Sequence, residues 1–125
     1  MLGWFMAVHR QLDGGRQPAP VDAPRGGLVA EWQASTPGKR WLDDLAQAGS
    51  ILFLGGNGYP FHYTGRAIDL LPRLIPKPPD ARDRWLIGGG DVATEKWRGE
   101  TFLDAHAFVD CDRDEWLYVE VWDES

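Results

Sequence analysis

From residue 3 to residue 9 (GWFMAVH) apolar side chains fall on both alternating faces, the pattern of a strand covered on two sides. Residues 11–27 then carry Pro18, Pro20 and Pro24 among several glycines, a loop long for a compact domain. Residues 28–34 fit either a short strand or a helical turn. The clearest helix spans residues 36–49: Thr36 is placed to cap it, Pro37 suits its first turn and Gly49 its left-handed end. Trp41, Leu42, Leu45 and Ala48 form its apolar stripe. Residues 50–54 (SILFL) follow as a strand closed by the turn Gly55-Gly56-Asn57-Gly58, and residues 59–63 return as an extended segment that Pro60 assigns to a sheet edge. Thr64 caps a short helix up to Leu71, where Pro72 interrupts it. Residues 75–79 (IPKPP) are extended, and residues 85–87 form a brief strand before Gly88-Gly89-Gly90.

The last third of the chain predicts an antiparallel hairpin of residues 102–110 and 116–123. Side chains alternate across a strand, so Leu103, Ala105, Ala107 and Val109 share one face with Leu117, Val119 and Val121. Burying these aliphatic sets together pairs Phe108 with Tyr118, His106 with Glu120 and Asp104 with Trp122. The opposite face then becomes a ring-rich, acidic patch, either a second core surface covered by the N-terminal segments with His106 and Glu120 paired across the strands, or a partly exposed docking surface. The expected architecture is one α+β domain over residues 1–125: a small mixed or antiparallel sheet with this C-terminal β-hairpin and one or two helices packed on one face.

Charge sharpens the interest of that end. The net charge is −6, yet residues 100–125 hold nine acids against the single base Arg113, a balance of −8 that leaves the preceding residues at +2. Such asymmetry argues against nucleic acid or an anionic membrane as the partner of this end and favours a basic protein. Seven tryptophans in 125 residues exceed what so small a core readily hides, which places some of them at a surface. The lone Cys111 forbids an internal disulfide and suits the cytoplasm, and the apolar start meets His9 and Arg10 too early for a signal peptide or a membrane span.

Catalytic patterns are weak. His9, His62 and His106 lack metal-ligand spacing, so neither metal nor cofactor is expected. The run from Asp110 to Asp114 begins like a calcium loop, but Glu115 stands where glycine is required and Val121 where glutamate is. The glycine turns at 55–58 and 88–90 lack the residues that complete a phosphate-binding loop. Cys111, His106 and Asp104 could be read as nucleophile, base and orienter, but residues two apart on a strand stand about 7 Å apart, and a cysteine among acids has a raised pKa, the wrong direction for attack.

The run Gly55-Gly56-Asn57-Gly58-Tyr59-Pro60, with Tyr63-Thr64, Leu71-Pro72, Pro78-Pro79 and the closing WLYVEVWD, resembles the small immunity proteins of bacterial polymorphic toxin and contact-dependent inhibition systems. The resemblance implies a cytoplasmic, non-enzymatic protein that binds and occludes a cognate toxin domain, and assigns no residue a role. The residue reading places partner binding on Asp112, Asp114, Glu115, Trp116, Tyr118, Glu120 and Trp122, whose acids would suit a basic toxin. The rival reading is a small enzyme or ligand-binding protein with a pocket of Tyr59, His62, Tyr63 and Arg66, the arginine clamping an anion and the histidine moving a proton.

Overall fold

The computed structural model describes residues 3–75, 77–81, 85–87 and 101–124, with backbone only for 85–87. Seven strands of the described residues form one sheet: β1 (Trp4–Gln11), β2 (Arg25–Ala34), β3 (Ile51–Gly56), β4 (Phe61–Arg66), β5 (Trp85–Ile87), β6 (Thr101–Leu103) and β7 (Trp116–Asp123). They stand in the order β3-β4-β7-β1-β2-β6-β5. All neighbours are antiparallel except β5 and β6. Among the described residues three short helices complete the α+β fold: α1 (Arg40–Gln47) behind a 3-10 turn (Thr36–Lys39), α2 (Ala67–Leu70) running into a second such turn (Leu71–Arg73), and α3 (Ala105–Asp110).

Register explains the core. Met6 stands opposite both Trp32 and Val121, Val8 opposite Ala30 and Val119, and Tyr63 opposite Val119, so these side chains project from one face. The helices cover that face, adding Leu42 and Leu45 from α1, Ala67 and Leu70 from α2 and Ala107 from α3 to the same buried cluster. Gly49, at φ +83°, ends the first helical segment where Ser50 N–H donates to Leu45 O.

The other face is covered in part by residues 12–24. Ala19 N–H donates to Thr64 Oγ1 at 3.0 Å, that hydroxyl donates to Leu117 O at 2.7 Å, and Tyr118 donates to Val21 O at 2.6 Å. Ala19, Ala23 and Tyr118 form a small second core against Leu54. The proline-rich loop is therefore a lid on the sheet. Its entry turn comes so close to β7 that a Cβ on Gly15 would lie 2.6 Å from Trp116 O, and Gly15 also has φ +70°.

Four sequence expectations need correction. Thr36 does not cap the first helix: it lies inside the 3-10 turn that follows Ser35, and no side-chain bond caps that turn or α1. The C-terminal hairpin does not form: its second strand exists as β7, but β7 lies between β1 and β4, while β6 is three residues long and pairs with β2. After β6 the chain turns helical because the Asp104 carboxylate accepts from His106 N and Ala107 N at 3.0 and 3.3 Å, capping α3. Residues 59–63 do not lie on an edge, since β4 pairs on both sides and Pro60 precedes it. Thr64 belongs to β4 and its hydroxyl bonds across the sheet rather than capping a helix. Pro76 and the glycine run 88–90 lie outside the described residues.

Candidate binding surface

The seven residues predicted to form one docking patch are dispersed by their elements. Asp112 and Asp114 are exposed on the turn before β7, beside a groove of about 480 Å³ that Arg16 and Arg113 also line. Glu115 is buried and receives a two-pronged hydrogen bond from Arg10 Nε and Nη2 at 2.8 and 2.9 Å. Trp116 is half-buried, with the Arg66 guanidinium 5.8 Å from its ring centroid. Tyr118 is 1% exposed beneath the loop, where burial pushes its pKa up. Glu120 is buried, bonded to Arg25 and 3.7 Å from His9 Nε2. Trp122 is exposed, but it stands six positions along the strand from Trp116, about 20 Å away. An extended ring-and-acid surface along this strand therefore does not exist. The rings and acids in the middle of β7 face the loop and their own ion-pair partners.

The alternative pocket fails by parity. Tyr63 and His62 are neighbours on β4 and so project to opposite faces. Tyr63 is buried on the helix side and donates to Asp43 Oδ1 at 2.6 Å, and its pKa is raised by burial and then by that bond. His62 stacks on Tyr118 with centroids 5.7 Å apart, its Nδ1 against the tyrosine hydroxyl. Tyr59 is exposed at the hairpin tip, and Arg66 pairs with Asp69 at the far end of β4.

The nucleophile set is likewise absent. Asp104 spends its carboxylate on the cap of α3, and burial followed by the field of Glu115 pushes the Cys111 thiol up to about 11. Against the ordinary thiol value of 9.0, about 100-fold less thiolate exists at pH 8 than for an unperturbed cysteine. Native protein should therefore react with iodoacetamide at pH 8 about 100-fold more slowly than protein unfolded in urea; equal rates would show the thiol is not held this way. Among the described residues no group of three or more histidines, cysteines and acids is placed to hold a metal, and no helix is long and apolar enough to cross a membrane.

What the structure exposes instead is the outer strand β3. Among the described residues it ends the sheet and pairs only with β4, and it carries the sequence ILFLGG, without charge or proline. Leu52 is 44% and Phe53 51% exposed. Phe53 leans on Phe61 and Tyr63, with centroids 6.0 and 5.1 Å apart, and α1 runs alongside with Asp43 and Asp44 exposed. The uncharged run was visible in the sequence. That its strand ends the sheet was not, because strand order depends on where β7 inserts. No protein family, curated protein or solved structure matches this chain.

Proposed function

We propose that this chain is a protein-binding module of the immunity type, acting in the cytoplasm, whose partner adds an extended segment to β3. The observation that carries this reading is the uncharged outer strand with Leu52 and Phe53 exposed. Soluble proteins protect such edges with lysine, proline or a covering element, because unpaired backbone groups recruit another strand. A partner strand would satisfy those groups and cover both side chains, the mode known as strand addition. The net charge of −6 and the exposed Asp43 and Asp44 beside the strand favour a basic partner, as a toxin that attracts phosphate would be. The immunity role itself rests on the resemblance carried by residues 55–60, 63–64, 71–72, 78–79 and 116–123.

Leu52→Lys places a charge on the free edge. It should change unfolding free energy by no more than about 0.5 kcal/mol, since the side chain is already exposed, while lowering partner affinity at least about tenfold. The test captures basic proteins from the native host on wild-type and Leu52→Lys protein in parallel, then expresses the captured protein alone and with this chain. Loss of capture by the variant, together with growth arrest relieved by co-expression, supports the proposal. Equal capture by both proteins refutes the edge as the docking site, and a harmless partner refutes the immunity role.

A further inference from the structure

Where β1 and β4 begin, on the helix-covered face, Lys39 reaches out of its 3-10 turn into a box of aromatic rings. Its Nζ lies 4.8 Å from the ring centroid of Phe61, 5.8 Å from that of Tyr63 and 5.9 Å from that of Trp4. The fourth wall is Asp43, whose Oδ2 is 2.6 Å from the ammonium. Ring faces together with a carboxylate are the chemistry that holds an organic cation.

The walls are fixed without Lys39. Trp4, Phe61 and Tyr63 are held by the sheet, the Trp4 indole donates to Thr36 O at 2.9 Å, and Tyr63 anchors the other oxygen of Asp43 at 2.6 Å. Lys39 is by contrast a flexible four-carbon arm, and its withdrawal breaks no backbone bond. A groove of about 390 Å³, lined by Trp4, Thr36, Pro37, Arg40, Asp43 and Phe61 as well as Lys39, gives access from outside. Arg40 at this groove opposes a second positive charge, so a new cation enters by exchange rather than by addition.

We propose that Trp4, Phe61, Tyr63 and Asp43 form a binding site for a guanidinium or ammonium group, that Lys39 is its internal occupant, and that a basic side chain of the docked partner displaces it. The assignment of the cation to a partner rests on the reading of β3 as the docking strand. The two are physically continuous, because Phe53 of β3 packs on both Phe61 and Tyr63 of the box. Lys39 thereby acts as a gate: a partner lacking a basic residue at that position leaves it shut.

The test uses free cations, so its outcome is independent of whether β3 takes a partner. Arginine amide and tetramethylammonium are titrated separately into ¹⁵N-labelled wild-type protein, Lys39→Met and Lys39→Met/Asp43→Asn, following the Trp4 indole N–H signal. Lys39→Met keeps the stem and removes the charge, and it should bind both cations on the order of tenfold more tightly than wild type; adding Asp43→Asn should cancel that gain. A folded Lys39→Met protein whose Trp4 signal ignores both cations overturns the site, as does a gain that survives Asp43→Asn. Should Lys39→Met not fold, Lys39→Gln is read by the same criteria; collapse of both variants overturns the proposal, because the walls would then depend on their occupant.

Discussion

Trp32→Ala should lower the unfolding free energy by about 3–5 kcal/mol, the usual range for deleting a fully buried tryptophan. Trp32 is 0% exposed, sits on β2 opposite Met6, and packs on Trp41 of α1 with centroids 6.3 Å apart. It thus joins the sheet to the helix layer, and its removal leaves a cavity that neither rigid layer can close. Domains of this class retain about 5–15 kcal/mol in total, so the variant should be largely unfolded at moderate urea. Trp32→Phe should cost far less, about 1–2 kcal/mol. The reason is that the indole Nε1 is buried with no hydrogen-bond partner among the described residues, so phenylalanine gives up ring volume but relieves an unmet donor. Equilibrium urea unfolding of both variants checks the pair; equal losses would show that the indole N–H is bonded after all.

Glu115→Ala should be the next most damaging, at about 2–3 kcal/mol, below the usual cost of breaking a fully buried ion pair because the Arg10 side chain is 30% exposed and can recover some water. The loss is of more than charge. Backbone groups of the same turn hold α2 and the lid: Ala67 N–H donates to Glu115 O at 2.8 Å, Ile68 N–H to Arg113 O at 3.0 Å, and Trp116 N–H to Gly15 O at 2.7 Å. Arg10→Met/Glu115→Leu, which replaces both partners by apolar groups, should recover much of the loss. Thermal melts of the single and double variants decide this, and a double variant as unstable as Glu115→Ala would show that neither side chain tolerates apolar replacement there.

The parts of the fold legible in the sequence are those set by neighbours a few residues apart. The helix after Pro37, the strands around Phe5 and Ile51, and the inward set Leu117, Val119 and Val121 on β7 all follow from local period and turn chemistry. The failure at residues 102–110 is instructive. Leu103, Ala105, Ala107 and Val109 alternate as a strand would, while Leu103, Ala107, Phe108 and Cys111 also meet helical spacing, and six or seven residues cannot separate the two periods. Asp104 decides the matter as a cap, and Val109, counted inward in the strand reading, is 82% exposed at the surface of α3. The docking patch dissolves for the same reason. Acids and rings on β7 look available when it is the outer half of a hairpin, and lose their solvent once it becomes a central strand under a loop. Lys39 was illegible altogether, because its three rings come from β1 and β4, and only the tertiary fold brings them together.

The position of β7 has a consequence for how the molecule assembles. β1 and β4 share no hydrogen bond except through β7, and Trp4 must find Asp123 across almost the whole chain. A ribosome releases β7 after the other described strands, so a nascent chain holds the two halves of its sheet as separate, half-zipped pieces with raw flanks facing one another. Closure over so long a loop is slow compared with that of hairpins, which makes the interval before β7 emerges the time when this protein most needs a chaperone.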